Sequence, residues 1–115
     1  MDFLNRIELR GNIGSVRTNT YNGRAVVNLT LATSRAFKSS SGEPAIETTW
    51  HNVTAWQGKD MPDFKLLEKG KKIYVVGRLV SRRFTSDDGL DRTVYEVAAS
   101  HIDILDETGQ LSYGH

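Results

Sequence analysis

The sequence has 115 residues, 38% hydrophobic and 25% charged, with 15 Lys and Arg against 14 Asp and Glu and no cysteine. That suits a single globular domain with one core, and it excludes a disulfide scaffold, a thiolate metal site and a membrane helix, which needs roughly 18 apolar residues in a row. The net charge of +1 hides an uneven distribution: Asp103, Asp106 and Glu107 sit in a C-terminal stretch without Lys or Arg, so the basic excess lies in residues 1–100.

The N-terminus, MDFLNRIELRGN, has no apolar signal stretch, which points to a cytoplasmic protein. Residues 5–17 alternate, with Ile7, Leu9, Gly11 and Ile13 on one face and Arg6, Glu8 and Arg10 on the other. This predicts a first strand, and Gly11 and Gly14 predict a bulge or bend of the kind a closing barrel requires. A turn at Tyr21-Asn22-Gly23 leads to a second strand, 25–37, where Val27, Leu29 and Leu31 alternate with Asn28, Thr30 and Ala32. The polar loop KSSSGEP (38–44) precedes a third strand, about 45–57. One short helix follows, with Asp60 as its cap, Pro62 in its first turn, Phe64, Leu66 and Leu67 as its apolar stripe and Gly70 as its stop. Residues 72–84 form a fourth strand with Gly77 in its middle, SDDGLD carries an Asp-Gly hairpin signal, and 92–105 form the fifth. The order β-β-β-α-β-β predicts an all-β domain with one short helix, a five-stranded Greek-key barrel of the OB type spanning residues 1–106, with a short polar tail at 107–115. A small SH3-like barrel and an open α+β sheet are the competing folds.

Both tryptophans lie in TTWHNVTAW. Trp50 and Trp56 are six residues apart, an even step, so they share a strand face with Asn52 and Thr54. Phe37 ends the second strand between Arg35 and Lys38, and Phe84 ends the fourth after Arg82 and Arg83. Rings beside guanidinium groups on one sheet face suit sequence-tolerant binding of single-stranded nucleic acid, where bases offer π-faces and phosphates need cations. Packing of these rings into a core or edge is the plainer alternative. Other chemistry is poorly supplied. His51 lies opposite the tryptophans, beside Val53 and Ala55, and reads as a packed or interface residue. His101 and His115 have no metal-ligand spacing, and DDGLD lacks the spacing of a calcium loop. No nucleophile elbow, carboxylate dyad or phosphate-binding glycine loop occurs, so neither an enzyme nor a cofactor is expected. The sequons at Asn28 and Asn52 lie inside predicted strands and read as chance.

In succession, NRIELRGNIG, VVNLTLATS, TTWHNV, LEKGKKIYVVGRL and RRFTSDDGLDRTVYEV resemble the strand motifs of the bacterial single-stranded DNA-binding protein family, across roughly residues 4–105. The resemblance implies an OB fold, binding of single-stranded DNA without sequence specificity in replication, recombination and repair, a nucleoid-associated place in the cytoplasm, and a homotetramer. It implies stacking roles for Phe37, Trp50, Trp56 and Phe84. Positions 37 and 84 are often Trp in the family, and position 56 often Phe. His51 falls where the family has a histidine associated with subunit contacts. Candidate phosphate contacts are Arg35, Lys38, Arg82 and Arg83, with Lys69, Lys71 and Lys72 as weaker ones. The loop SVRTNTYNG is shorter than the family's and lacks its acidic-Pro element. After GQLSYGH the family usually continues into a Gly/Pro/Gln-rich linker and an acidic tip that recruits replication and repair enzymes, so reduced binding of such enzymes is expected.

Overall fold

The computed structural model describes residues 2–106; the predicted polar tail, 107–115, lies outside them. Five long strands carry almost the whole chain: β1 (Ile7–Tyr21), β2 (Arg24–Lys38), β3 (Pro44–Trp56), β4 (Lys72–Thr85) and β5 (Asp91–Leu105). They close into a barrel in the order β1-β2-β3-β5-β4, the predicted OB arrangement. Closure comes from β1, which pairs with β4 from Ile7 to Asn12 and with β2 from Asn12 to Tyr21, and from a short parallel contact of β3 with β5 at Val53↔Val97 and Thr54↔Ala98.

The predicted glycines mark where the sheet bends. The β1–β2 register slips between Ile13 and Ser15, which makes Gly14 the extra residue of a bulge, and the β4–β5 register slips between Val76 and Gly77. At Gly11 and Gly77 another backbone crosses closely. A Cβ on Gly11 would stand 2.9 Å from the carbonyl carbon of Ala32 and nearer still to its oxygen, and one on Gly77 would meet the Ala98 carbonyl in the same way.

Inside, Ile13, Val27, Leu29, Leu31, Val53, Ala55, Ile73, Val75, Val97, Ile102 and Ile104 form the core. Within each strand these are alternate positions of one face, and in β5 the extra residue Ser100 shifts the parity between Val97 and Ile102. The predicted helix shrinks to a single 3-10 turn, Phe64–Leu66, capped by the Asp63 carboxylate rather than by Asp60. Too few residues separate Pro62 from Gly70 to repay helix nucleation. The turn still buries its apolar residues: Phe64 and Leu67, three apart and therefore on one side of a 3-10 turn, join the core, while Leu66 stays exposed.

Beyond the core the hairpins continue as exposed arms. The β2–β3 and β4–β5 arms end in loops with matching hydrogen bonds, Ser39 N to Glu43 O and Gly42 N to Ser39 O in one, Ser86 N to Leu90 O and Gly89 N to Ser86 O in the other, each 2.9 Å. Each loop leaves three residues between its closing pair. The β1–β2 hairpin turns on Asn22 and Gly23, both at positive φ (51° and 78°), as a two-residue type I′ turn requires.

Candidate nucleic-acid interface

The outward face of β1, β2 and β3 is polar and open. Register places its side chains in cross-strand rows: Trp50 with Ala32 and Asn12, Asn52 with Thr30 and Ser15, Thr54 with Asn28 and Arg17, and Trp56 with Val26 and Asn19. The β4–β5 arm rises beside this face. A groove of about 510 Å³ runs between them, bounded by Ser15, Arg17, Asn28, Thr30, Asn52 and Thr54 from the sheet and by Arg82, Val94, Tyr95 and Glu96 from the arm. A smaller hollow of about 360 Å³ continues it past Tyr21, Trp56, Arg78 and Val80.

Neither tryptophan belongs to the core: Trp50 is 61% and Trp56 40% exposed. Six residues of strand separate them by about 20 Å. Each ring has a distinct support. Trp50 lies across β2 onto Gly14, where a Cβ would stand 2.9 Å from Trp50 Cη2 and closer to Cζ3, so the bulge glycine is what lets the indole settle on the sheet. Trp56 meets Tyr21 with ring centroids 6.1 Å apart and planes tilted by 50°, and the Arg24 guanidinium stands 5.3 Å over it.

A hydrogen-bonded cluster occupies the middle of the groove. Thr54 Oγ1 lies 2.9 Å from Asn28 Oδ1 and donates to Glu96, whose other oxygen pairs with Arg82 Nε at 2.8 Å. The Glu96 side chain is only 13% exposed, so this carboxylate is held among polar partners that satisfy it.

Residues 4–105 match the single-strand binding protein family. The chain belongs to that family. Single-stranded DNA-binding proteins of Neisseria meningitidis serogroups A and B are each 33% identical over 113 residues, covering 96% of this chain. One from Chlorobaculum tepidum is 41% identical over 93 residues, 77% of this chain and 56% of that protein. The chain spans 65% of the length of the meningococcal relatives. Among solved structures, a Plasmodium falciparum SSB in complex with ssDNA superposes with a TM-score of 0.78 at 25% identity, covering 92% of this chain and 98% of the other. A Thermus aquaticus single-stranded DNA binding protein, a deletion mutant, superposes with 0.73 at 30% identity over 93% of this chain and 53% of that one.

In this family member the expectation of four rings on one face fails for Phe37. Counting along β2 from buried Leu29 and Leu31 puts Thr33, Arg35 and Phe37 on the inward side, opposite the tryptophans. Two cross-strand contacts share that side, Arg35 Nε to Glu47 Oε1 at 2.9 Å and Thr33 Oγ1 to His51 Nε2 at 2.8 Å. Phe37 is 38% exposed on the arm, with the Arg35 guanidinium 5.2 Å over its ring. By the same count Phe84 falls on the outward side with Arg78, Val80 and Arg82.

The predicted cations divide into two sets. Arg35, Arg82 and Arg83 are paired, with Glu47, Glu96 and Asp91 respectively, whereas Lys38, Lys69, Lys71 and Lys72 make no ion pair among the described residues. Lys72 stands in the Trp50–Ala32–Asn12 row, its backbone three strand spacings or about 14 Å from that of Trp50. Lys71 and Lys72 border a separate hollow with Asn12 and Gly70. His51 takes the predicted side of β3, at the base of the arm. Sequence reading missed Tyr21, Arg17, Arg24, Arg78 and Tyr95. The first two carry a signal: Arg17, Asn19 and Tyr21 continue the period-two pattern of β1 through a stretch read as a loop.

Among the described residues no group of three or more His, Cys, Asp or Glu is placed to hold a metal ion, and no helix is long and apolar enough to cross a membrane.

Proposed function

We propose that this chain binds single-stranded DNA without reading its sequence, in replication, recombination and repair, as a binding module with no catalytic step. The observation that carries the reading is a pair of exposed indoles, six residues or about 20 Å of strand apart on the outward face of β3, each held by its own support rather than packed in the core. A π-face stacks on any base, so rings serve a strand of any sequence, and cations along the groove meet its phosphates. Trp50, Trp56 and Phe84 are the stacking rings of the outward face, and Phe37 stacks where the strand crosses the β2–β3 arm. Lys38, without an ion pair among the described residues, contacts phosphates together with Arg17 and Arg78 of the groove and Arg24 over Trp56. Arg35, Arg82 and Arg83 stand beside the DNA strand while keeping the carboxylates they already face, and Lys69, Lys71 and Lys72 form an outer set. The meningococcal relatives, named for single-stranded DNA binding, and the Plasmodium SSB solved with ssDNA support this reading.

One barrel offers a path for only a few nucleotides. We infer a homotetramer with the strand crossing subunits, His51 near a subunit contact, acting on DNA in the nucleoid. Light scattering of the protein at micromolar concentration tests the assembly, and a stable monomer overturns it.

The binding itself is tested by titrating the tryptophan fluorescence with poly-dT. Saturable quenching is expected, and Trp50→Ala or Trp56→Ala should weaken binding by about 1–3 kcal/mol each, with similar losses across base sequences. A folded protein whose fluorescence ignores poly-dT refutes the proposal.

A further inference from the structure

The β1–β2 hairpin brings a second ring to Trp56. We propose that Tyr21 and Trp56 together form a nucleobase subsite, so that Tyr21 is a stacking residue in its own right; this rests on the single-stranded DNA reading above. Tyr21 is the last residue of β1, and its side chain is 57% exposed. An aromatic at a hairpin end without a role would be free to point into solvent. This one is instead turned onto Trp56, at 6.1 Å and 50°. At that distance and tilt the two rings touch each other, leaving no room for a base between them, so together they form a continuous two-ring wall on which one flat heterocycle can rest.

The space beside the pair fits such a guest. The hollow holds about 360 Å³ and takes Val26, Asn28, Thr54 and Arg78 along with the two rings. Val26 is 3% exposed and gives an apolar floor for a ring, while Asn28 and Thr54 offer polar atoms and Arg78 a positive charge for a neighbouring phosphate. The tight type I′ turn fixes the geometry, because Tyr21 and Arg24 are directly paired across it. Arg24 is held there by its guanidinium over the indole and by Nη2 3.5 Å from the Gln57 carbonyl oxygen. The guanidinium covers one face of the indole, so a base stacks on the side it leaves. Six residues, or about 20 Å of strand, separate Trp56 from Trp50, so the subsite takes a different base.

The test uses oligo(dT) carrying 5-iodouracil, crosslinked by light to the unaltered 115-residue protein, followed by peptide mass spectrometry. Adducts on Tyr21 and Trp56 are expected. In parallel, Tyr21→Ala should bind oligo(dT) at least about fivefold more weakly, while Tyr21→Phe, which keeps the ring and loses the hydroxyl, should bind as the parent does. Crosslinks on Trp50 or Trp56 with none on Tyr21, or unchanged binding by a folded Tyr21→Ala, overturn the subsite and leave the single-stranded DNA reading standing. A parent protein that neither binds nor crosslinks overturns both. Equal weakening by Tyr21→Ala and Tyr21→Phe also overturns it, since that assigns the effect to the hydroxyl.

Discussion

Gly14→Ala should disable one stacking ring without harming the barrel. The added Cβ would stand 2.9 Å from Trp50 Cη2 and from Thr30 Oγ1, well inside the 3.5–4.0 Å at which carbon atoms rest against each other. The indole has to retreat by about 1 Å or more, and it can, because it is 61% exposed. Stability should change little, since the lost contact is offset by the roughly 0.5–1 kcal/mol that Ala gains over Gly inside a strand. Binding should suffer, up to the about 1–3 kcal/mol that one stacked base contributes. The assay is a double-mutant cycle of Gly14→Ala and Trp50→Ala, with affinity for oligo(dT) read by fluorescence of the remaining tryptophan and folding by thermal melting. If the glycine acts through the ring, Gly14→Ala costs nothing further once Trp50 is alanine, and a coupling energy of similar size to the single effect results. Equal loss in both backgrounds refutes the argument and makes Gly14 a determinant of the bulge alone.

Gly77→Ala should be far more damaging to folding, because its Cβ meets the Ala98 backbone rather than a mobile side chain; a loss of about 3 kcal/mol, seen as a melting point lower by more than about 10 °C, is expected, and a melt within a few degrees of the parent would contradict it. In the β4–β5 loop, the Asp88 carboxyl is held below its ordinary value by the hydrogen bond from Ser86, then by the Leu90 N–H and by Arg92. A depressed folded value means that the ionised form stabilises the loop above the ordinary carboxylate range and that this is lost as pH falls through the lowered value. Amide exchange at Leu90 should therefore speed up in acid relative to the core, and Asp88→Asn should remove that pH dependence.

The parts of the fold legible in the sequence are those governed by local periodicity. Alternation located all five strands, and the glycines marked the bends, Gly11 and Gly77 because only a residue without Cβ tolerates a crossing backbone and Gly14 because its bulge lies under the Trp50 ring. What failed was information between strands. Within β2 the sequence assigns Phe37 a parity, but whether that parity matches Trp50 on β3 depends on loop length. Three residues between Ser39 and Glu43 pair even positions with even, and one more or fewer would reverse every side chain of the arm. Tyr21 was missed for a different reason. SVRTNTY has few apolar residues, so its alternation is between polar side chains and resembles a loop; β1 persists there because β2 supplies its hydrogen-bond partners. The helix signal was real but short, and tertiary burial of Phe64 and Leu67 selected the tighter turn.

Ion pairing on the arms sets how strongly binding should depend on salt. Arg35, Arg82 and Arg83 each already face a carboxylate, at 2.9, 2.8 and 3.5 Å. A phosphate arriving at such an arginine displaces a negative charge from it, so the electrostatic gain is a difference between two similar partners and not the full attraction of a free cation. Arg17, Arg24, Arg78 and Lys38 make no ion pair among the described residues, and the first three border the groove or stand over Trp56. On single strands each neutralised phosphate contributes about −0.7 to the slope of log affinity against log salt. If these four make the phosphate contacts, the slope per occupied barrel is about −3; if the three paired arginines join them, it approaches about −5. We expect the shallower value, measured by poly-dT titration across a range of NaCl at a fixed protein-to-DNA ratio. Glu47→Gln and Asp91→Asn, which release Arg35 and Arg83, should each raise affinity and steepen the slope by up to about 0.7. A parent slope near −5 that neither substitution alters would mean that phosphate takes the arginines from their carboxylates unaided, and the pairs would then have no hold on binding.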